Sequence, residues 1–259
     1  YIWPDWSRLA EGPIPKTHFI QVYEQRRVEK AWPALRWSPV AFSSLPKHMQ
    51  RAVLVAEDSR FYTHNGLDLI AIKDAWDYNM ERGQLLFGAS TISQQTAKNL
   101  FLNPSRNPVR KWHEFVLTMG LERHLSKQRI LEIYLNTAEF GRGIYGVQAA
   151  AQAYWGIPAS RLSVTQAAEL AATLPGPVKN NPGSRTDFFQ RRTKKILSLM
   201  GTRYTAPEES LDAGIEASPD PEVMEASPAE PPPAEQSLVP EPEPTPVPQE
   251  PAPVTSQPL

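Results

Sequence analysis

The chain predicts an all-α body, on three observations. From Pro46 onward apolar residues recur at spacings of three and four, alternating β-branched runs are scarce, and Gly, Pro and Asn separate the periodic stretches. A first helix is expected over about 46–61, with Met49, Val53 and Ala56 or Glu57 stacked along one side, ending in the Asn65-Gly66 turn. Further helices are expected at about 68–82, 90–101, 107–125, 127–138, 143–155, 163–174 and 186–203. Before Pro46 the run Phe19-Ile20-Gln21-Val22-Tyr23 reads as a short strand or an extended arm on the helical body.

Composition divides the chain near residue 204. Residues 205–259 hold 12 acidic residues, 15 prolines and no Lys or Arg, so residues 1–204 keep all 27 basic residues against 16 acidic ones, a net +11. A segment so rich in Pro and in one sign of charge buries too little apolar surface to offset its ordering entropy, and is expected to be disordered. The basic body is large enough for one core, and its charge suits an anionic partner: nucleic acid, an anionic membrane surface or a phosphorylated substrate. The organisation expected is an N-terminal arm over 1–45, a folded domain over 46–204 and a disordered acidic, Pro-rich tail over 205–259. With no cysteine, disulfides, thiol nucleophiles and Cys-ligated metals are excluded. There is no Gly-rich dinucleotide or Walker-type loop, which weakens nucleotide-enzyme readings. No stretch reaches the roughly 18 to 20 apolar residues of a membrane span. The chain opens Tyr1-Ile2-Trp3-Pro4-Asp5-Trp6 without an initiator Met, so a truncated or processed product is expected, with any anchor upstream. Trp3 and Trp6 suit either an interfacial position beside such an anchor or plain packing.

Three segments concentrate polar chemistry. In Glu57-Asp58-Ser59-Arg60-Phe61-Tyr62-Thr63-His64-Asn65-Gly66, adjacent carboxylates close an apolar helix ahead of a His-x-Gly turn. A carboxylate there could serve as a base if partly buried, although taken alone a Glu-Asp pair at a helix end reads first as structural. In Gly88-Ala89-Ser90-Thr91-Ile92-Ser93-Gln94-Gln95-Thr96-Ala97-Lys98-Asn99, a glycine and hydroxyls lead into a helix. On it Thr91, Gln95 and Lys98 or Asn99 share a face, offering the donors and acceptors that hold sugars and phosphates; a capped, solvated helix is the alternative. In Arg106-Asn107-Pro108-Val109-Arg110-Lys111-Trp112-His113-Glu114, two cations precede Glu114 by four and three residues on one helix. That cluster could stabilise a departing phosphate, or be a surface ion-pair network worth about 0–1 kcal/mol per pair.

In their order and spacing these segments closely resemble the signature of the peptidoglycan glycosyltransferases, the lysozyme-like family that polymerises lipid II. The remaining motifs agree: Ser126-Lys127 leads into Ile130-Leu131-Glu132-Ile133-Tyr134-Leu135-Asn136, and Gly141 to Gly146 leads into Ala149-Ala150 and Tyr154-Trp155-Gly156. The resemblance spans about residues 46–182. Ala89 stands where many members have a second Gly, and Trp155 where many have Phe. The chain looks most like the monofunctional biosynthetic type. Of the elements a transpeptidase needs, Ser44-Leu45-Pro46-Lys47 and Ser105-Arg106-Asn107 match by chance spacing, and Lys-Thr-Gly is absent.

The resemblance implies a lysozyme-like fold with a two-lobed cleft. It also implies inverting transfer of the lipid-linked glycan onto the GlcNAc 4-hydroxyl of lipid II, forming β-1,4 bonds and releasing undecaprenyl pyrophosphate. Glu57 is then the general base, and Glu114 with its cations assists the leaving group; the two should face each other across a cleft, further apart than the roughly 5 to 5.5 Å of a retaining pair. Substrate contacts are expected from Asp58, Ser90, Thr91, Gln94, Gln95, Lys98, Asn99, Arg106, Arg110 and Lys111. No cofactor is required, with room left for a divalent cation, Mg or Mn, near Glu114. The partners implied are lipid II, the growing glycan, the membrane surface and cell-wall synthases or division proteins, with no nucleic acid. The location implied is the outer, periplasmic face of the bacterial cytoplasmic membrane. Leu85-Leu86-Phe87, with Trp76 nearby, could dip into the headgroup region or pack in the core. A lytic enzyme on the same architecture and a noncatalytic scaffold are the competing readings.

Overall fold

The computed structural model describes residues 3–82, 90–104 and 108–201, all within one compact unit. Its elements in order are α1 (Trp6–Glu11), α2 (His18–Glu29), β1 (Arg36–Trp37), α3 (Lys47–Glu57), α4 (Leu69–Arg82), α5 (Ile92–Phe101) and α6 (Pro108–His124). There follow α7 (Lys127–Thr137), β2 (Glu139–Gly141), β3 (Ile144–Tyr145), α8 (Val147–Trp155), α9 (Val164–Thr173) and α10 (Asp187–Gly201). The mainly helical fold matches the expectation from the apolar spacing. The expected tail, Leu85-Leu86-Phe87 with Gly88 and Ala89, and Arg106 lie outside the described residues.

Two groups of helices position the site. In the first, α3, α9 and α10 pack on one another. Helix α9 buries Ala167, Ala168, Ala171 and Ala172, whose small side chains allow neighbours to approach closely, while α3 buries Met49 and Val53 of the predicted face together with Ala52, and leaves Ala56 and Glu57 partly exposed. Helix α10 buries Phe189, Thr193, Ile196 and Met200, an apolar stripe at spacings of four, three and four. In the second group α5 packs on α6 and α7. Local chemistry sets the helix starts: Thr91 and Ser163 each form a reciprocal capping box with the Gln three residues on, and the Ser126 hydroxyl caps α7.

Two expectations are corrected. Phe19–Tyr23 is neither a strand nor an extended arm: it lies within α2, started by the Thr17 cap, with Ile20 and Tyr23 buried three residues apart. Helix α8 starts at Val147, because Ile144 and Tyr145 form the middle strand of a small sheet ordered β1-β3-β2. There β1 runs parallel to β3 and β2 antiparallel to it. Gly146 makes the turn into α8 at φ 81, where a Cβ would lie 2.6 Å from the Asn136 carbonyl oxygen. The N-terminal helices pack on the body, α1 against α6 and α2 against α5. Trp6 is buried and stacked on His124, whereas Trp3 is exposed.

Candidate active site

The site begins where α3 stops. Asp58 leaves helical geometry at φ −165, and its own amide closes the last turn on the Leu54 carbonyl. That break leaves Glu57 on the final turn and sends Asp58 into the interior. Asp58 accepts from His64 Nε2 at 2.9 Å and from the Ile92 amide at 3.0 Å. The Gly66 amide donates to His64 Nδ1 at 3.2 Å, so Nε2 carries the proton that Asp58 receives. Asp58, expected to touch substrate, instead caps the N-terminus of α5 from inside the fold.

Helix α5 is fixed from a second side by Thr91. Its hydroxyl donates to the Gly66 carbonyl at 2.6 Å and accepts from the Gln94 amide at 3.2 Å, while Gln94 Oε1 accepts from the Thr91 amide at 3.0 Å. Thr91 and Gln94, both buried, are thus spent on the helix start rather than on a groove. Ser90 is exposed just ahead of them, and Asn99 is half-buried further along α5. Ser93 donates to Glu122, which also accepts from Lys127 at 2.7 Å. Anchored in this way, α5 presents Gln95 and Lys98 one turn apart.

Gln95 reaches the base candidate directly: its Nε2 donates to Glu57 Oε2 at 3.0 Å, and its Oε1 accepts from Tyr134 on α7 at 3.1 Å. Arg192 on α10 donates to Glu57 Oε1 at 2.8 Å. Both oxygens of Glu57 are therefore held, by groups from the two different helix groups. Burial pushes the Tyr134 hydroxyl well up in pKa, and Glu57 adds to the rise, so this phenol stays a neutral donor to Gln95.

On α6, Glu114 is 3% exposed and receives Arg110 at 3.0 Å and Lys111 at 2.5 Å. Both pairs follow from the spacings of four and three on one helix. Lys98 links this cluster to Glu57. Burial lowers the Lys98 ammonium from its ordinary pKa, Glu114 and more weakly Glu57 oppose that, and Arg110 and Lys111 reinforce it. Both carboxylates thus act on one amine, which α5 carries one turn from Gln95.

The residues do not fit a divalent cation at Glu114. Its described neighbours are the cations Arg110, Lys111 and Lys98, whereas such an ion needs several oxygen ligands. Among the described residues, the one trio of carboxylate and His donors close enough to share an ion is Asp58, His64 and Asp68. Asp68 there already accepts from Arg60 at 2.8 Å.

Two contributors lay outside the sequence reasoning. Tyr134 sits within a recognised motif but carried no assigned role. Arg192 is 135 residues from Glu57 in a helix outside every motif, and only the fold brings them together.

A family model described as Transglycosylase matches residues 25–201. A biosynthetic peptidoglycan transglycosylase of Ralstonia nicotianae is 50% identical over 171 residues, 64% of this chain and 72% of the relative. Proteins of the same name from Marinomonas sp. and Nitrosospira multiformis are 44% and 42% identical, over 75% and 69% of this chain and 84% and 78% of the relatives. The family match takes in every helix that supplies the site, from α3 to α10, and the chain therefore belongs to the transglycosylase family and is a glycosyltransferase.

Proposed function

We propose that the chain polymerises glycan strands from lipid II, with Glu57 as the general base. The observation that carries this reading is the half-buried Glu57 carboxylate, held by Gln95 from α5 and by Arg192 from α10. Glu57 removes the proton from the acceptor GlcNAc 4-hydroxyl as that oxygen attacks the anomeric carbon of the lipid-linked donor. The C–O bond to pyrophosphate breaks as the new β-1,4 bond forms, with inversion. Lys98, Arg110 and Lys111 neutralise charge on the departing undecaprenyl pyrophosphate, and Glu114 keeps Arg110 and Lys111 in place. Arg106, outside the described residues, is proposed for the same charge-neutralising role because it precedes the Arg110-Lys111 motif by four residues.

The reaction belongs to the cell envelope. Among the described residues no helix is long and apolar enough to cross a membrane. A membrane-facing surface is supported by exposed Leu69, Ile70, Trp76 and Met80 on α4, and by exposed Val109 and Trp112 at the start of α6. Trp112 lies one residue from Lys111 of the cationic cluster, so this surface would bring a lipid-borne pyrophosphate alongside Lys111.

The test is polymerisation of labelled lipid II in detergent by the wild type and Glu57→Gln, with products separated before and after muramidase digestion. Muramidase-sensitive polymer from the wild type alone is expected, since Gln keeps the shape of Glu57 but accepts no proton. Equal turnover by folded Glu57→Gln would overturn the assignment of the base.

A further inference from the structure

Helix α3 ends at Glu57, which leaves the carbonyls of its last turn without intrahelical partners. The Leu54 carbonyl is satisfied by the Asp58 amide at 2.8 Å. The Ala56 carbonyl is satisfied from another helix, by Arg192 Nη2 at 3.0 Å. The same nitrogen reaches Glu57 Oε1 at 2.8 Å. One guanidinium nitrogen thus grips both the backbone just before the base and the side chain of the base itself.

The setting makes this grip rigid. Arg192 adjoins the buried stripe of α10, three residues after Phe189 and next to Thr193, and α10 packs on both α3 and α9. A cation at a helix C-terminus is favoured by the helix dipole, which adds to its attraction for the carboxylate. Arg192 Nε is buried with no hydrogen-bond partner among the described residues. Here the guanidinium is oriented by its Nη2 contacts to residues 56 and 57. From the opposite side Gln95 donates to Glu57 Oε2 and is itself held by Tyr134. Gln95 comes from a recognised motif and Arg192 from outside all of them, yet the two hold opposite oxygens of one carboxylate.

We infer that Arg192 is a positioning residue for the proposed transfer reaction, clamping the Glu57 carboxylate against the end of α3 so that it meets the acceptor hydroxyl in one orientation. The inference rests on the reading of Glu57 as the base. A small misplacement of a reacting group costs about 100-fold in rate, so the loss should fall on turnover rather than on substrate binding.

The experiment compares the wild type, Arg192→Ala, Arg192→Lys and Glu57→Gln in lipid II polymerisation, with kcat and KM separated and Tm recorded for each. Arg192→Ala is expected to lose roughly 100-fold in kcat while KM stays within about threefold. Added guanidinium ion should restore part of that loss in Arg192→Ala without accelerating the wild type. Arg192→Lys keeps a cation on a flexible stem but lacks the planar fork, and should fall between wild type and Ala. Should Arg192→Ala fail to fold, the kcat and KM of Arg192→Lys decide the matter in the same way. Wild-type kcat in a folded Arg192 variant, a loss confined to KM, or a loss that tracks Tm and resists guanidinium would each overturn the inference. Full activity in Glu57→Gln would instead overturn the reading of the base, so the two failures are distinguishable.

Discussion

Glu139 is the carboxylate whose environment opposes its charge most clearly, and replacing it with glutamine should stabilise the protein in a pH-dependent way. Glu139 starts β2 opposite Tyr145, and its pKa is raised from 4.5 to about 7 by burial, against the opposing effects of the Gly143 amide and Arg142. Because the folded value lies above the unfolded one, below about pH 4.5 both states are protonated and the group contributes nothing. As the pH rises towards 7 the unfolded chain releases this proton while the native state retains it, so stability falls by up to about 1.4 kcal/mol per pH unit. Above pH 7 both are ionised and the accumulated loss, about 3 kcal/mol, stays constant. Glu139→Gln keeps an acceptor for the Gly143 amide and removes the titration. Its advantage over the wild type should therefore grow by about 2.5 kcal/mol between pH 5 and pH 8. For a folded body of this size that is a relative gain of roughly 5–10 °C in Tm. Urea unfolding of both proteins at the two pH values measures it, and the other carboxylates cancel because both proteins share them. An advantage that is equal at pH 5 and pH 8, or that shrinks with pH, would refute the assignment.

Asp58→Asn should cost about 3 kcal/mol in urea unfolding, because whichever oxygen the new NH2 replaces, it would face a donor, His64 Nε2 at 2.9 Å or the Ile92 amide at 3.0 Å. It should also lower turnover by loosening the helix that carries Gln95 and Lys98; unchanged stability would contradict the capping role. Lys98→Met should raise rather than lower Tm at neutral pH, since burial already disfavours the ammonium, while lipid II polymerisation is lost. A variant both less stable and fully active would contradict both halves of that expectation. Replacing Trp76 and Trp112 together with Glu should weaken sedimentation with anionic liposomes while leaving the Tm nearly unchanged, because both side chains are about two-thirds exposed. Equal liposome binding would remove this surface from the membrane.

What could be read from the sequence is what short-range geometry determines. The pairing of Arg110 and Lys111 with Glu114 follows from helical spacing alone, and the structure places all three together. The same spacing put Thr91 and Gln95 on one face, but only Gln95 reaches the carboxylate. Thr91 is the cap, and a cap residue spends its hydroxyl on the helix start before a ligand can use it. Asp58 misled for a related reason. Next to Glu57 in sequence, it turns away because the chain leaves helical geometry at that residue, so neighbouring carboxylates take opposite roles. In the N-terminal segment, Phe19-Ile20-Gln21-Val22-Tyr23 has strand-like composition, but the Thr17 cap and the burial of Ile20 and Tyr23 outweigh it.

Arg192 belongs to another category, since nothing local to it marks a role. Its neighbours Phe189, Thr193 and Ile196 describe an amphipathic helix whose arginine would ordinarily read as a solvated flank. Its function becomes visible only when α10 is laid against α3, and the same is true of Tyr134 behind Gln95. The site thus has two layers. One consists of motif residues read from spacing, and the other of groups supplied by packing that hold those residues in place. A carboxylate with one oxygen gripped from α5 and the other from α10 depends on the fit between the two helix groups. Substitutions that shift α10 against α3, such as shortening buried Phe189 or Ile196, should therefore reduce turnover even though neither side chain belongs to the motifs.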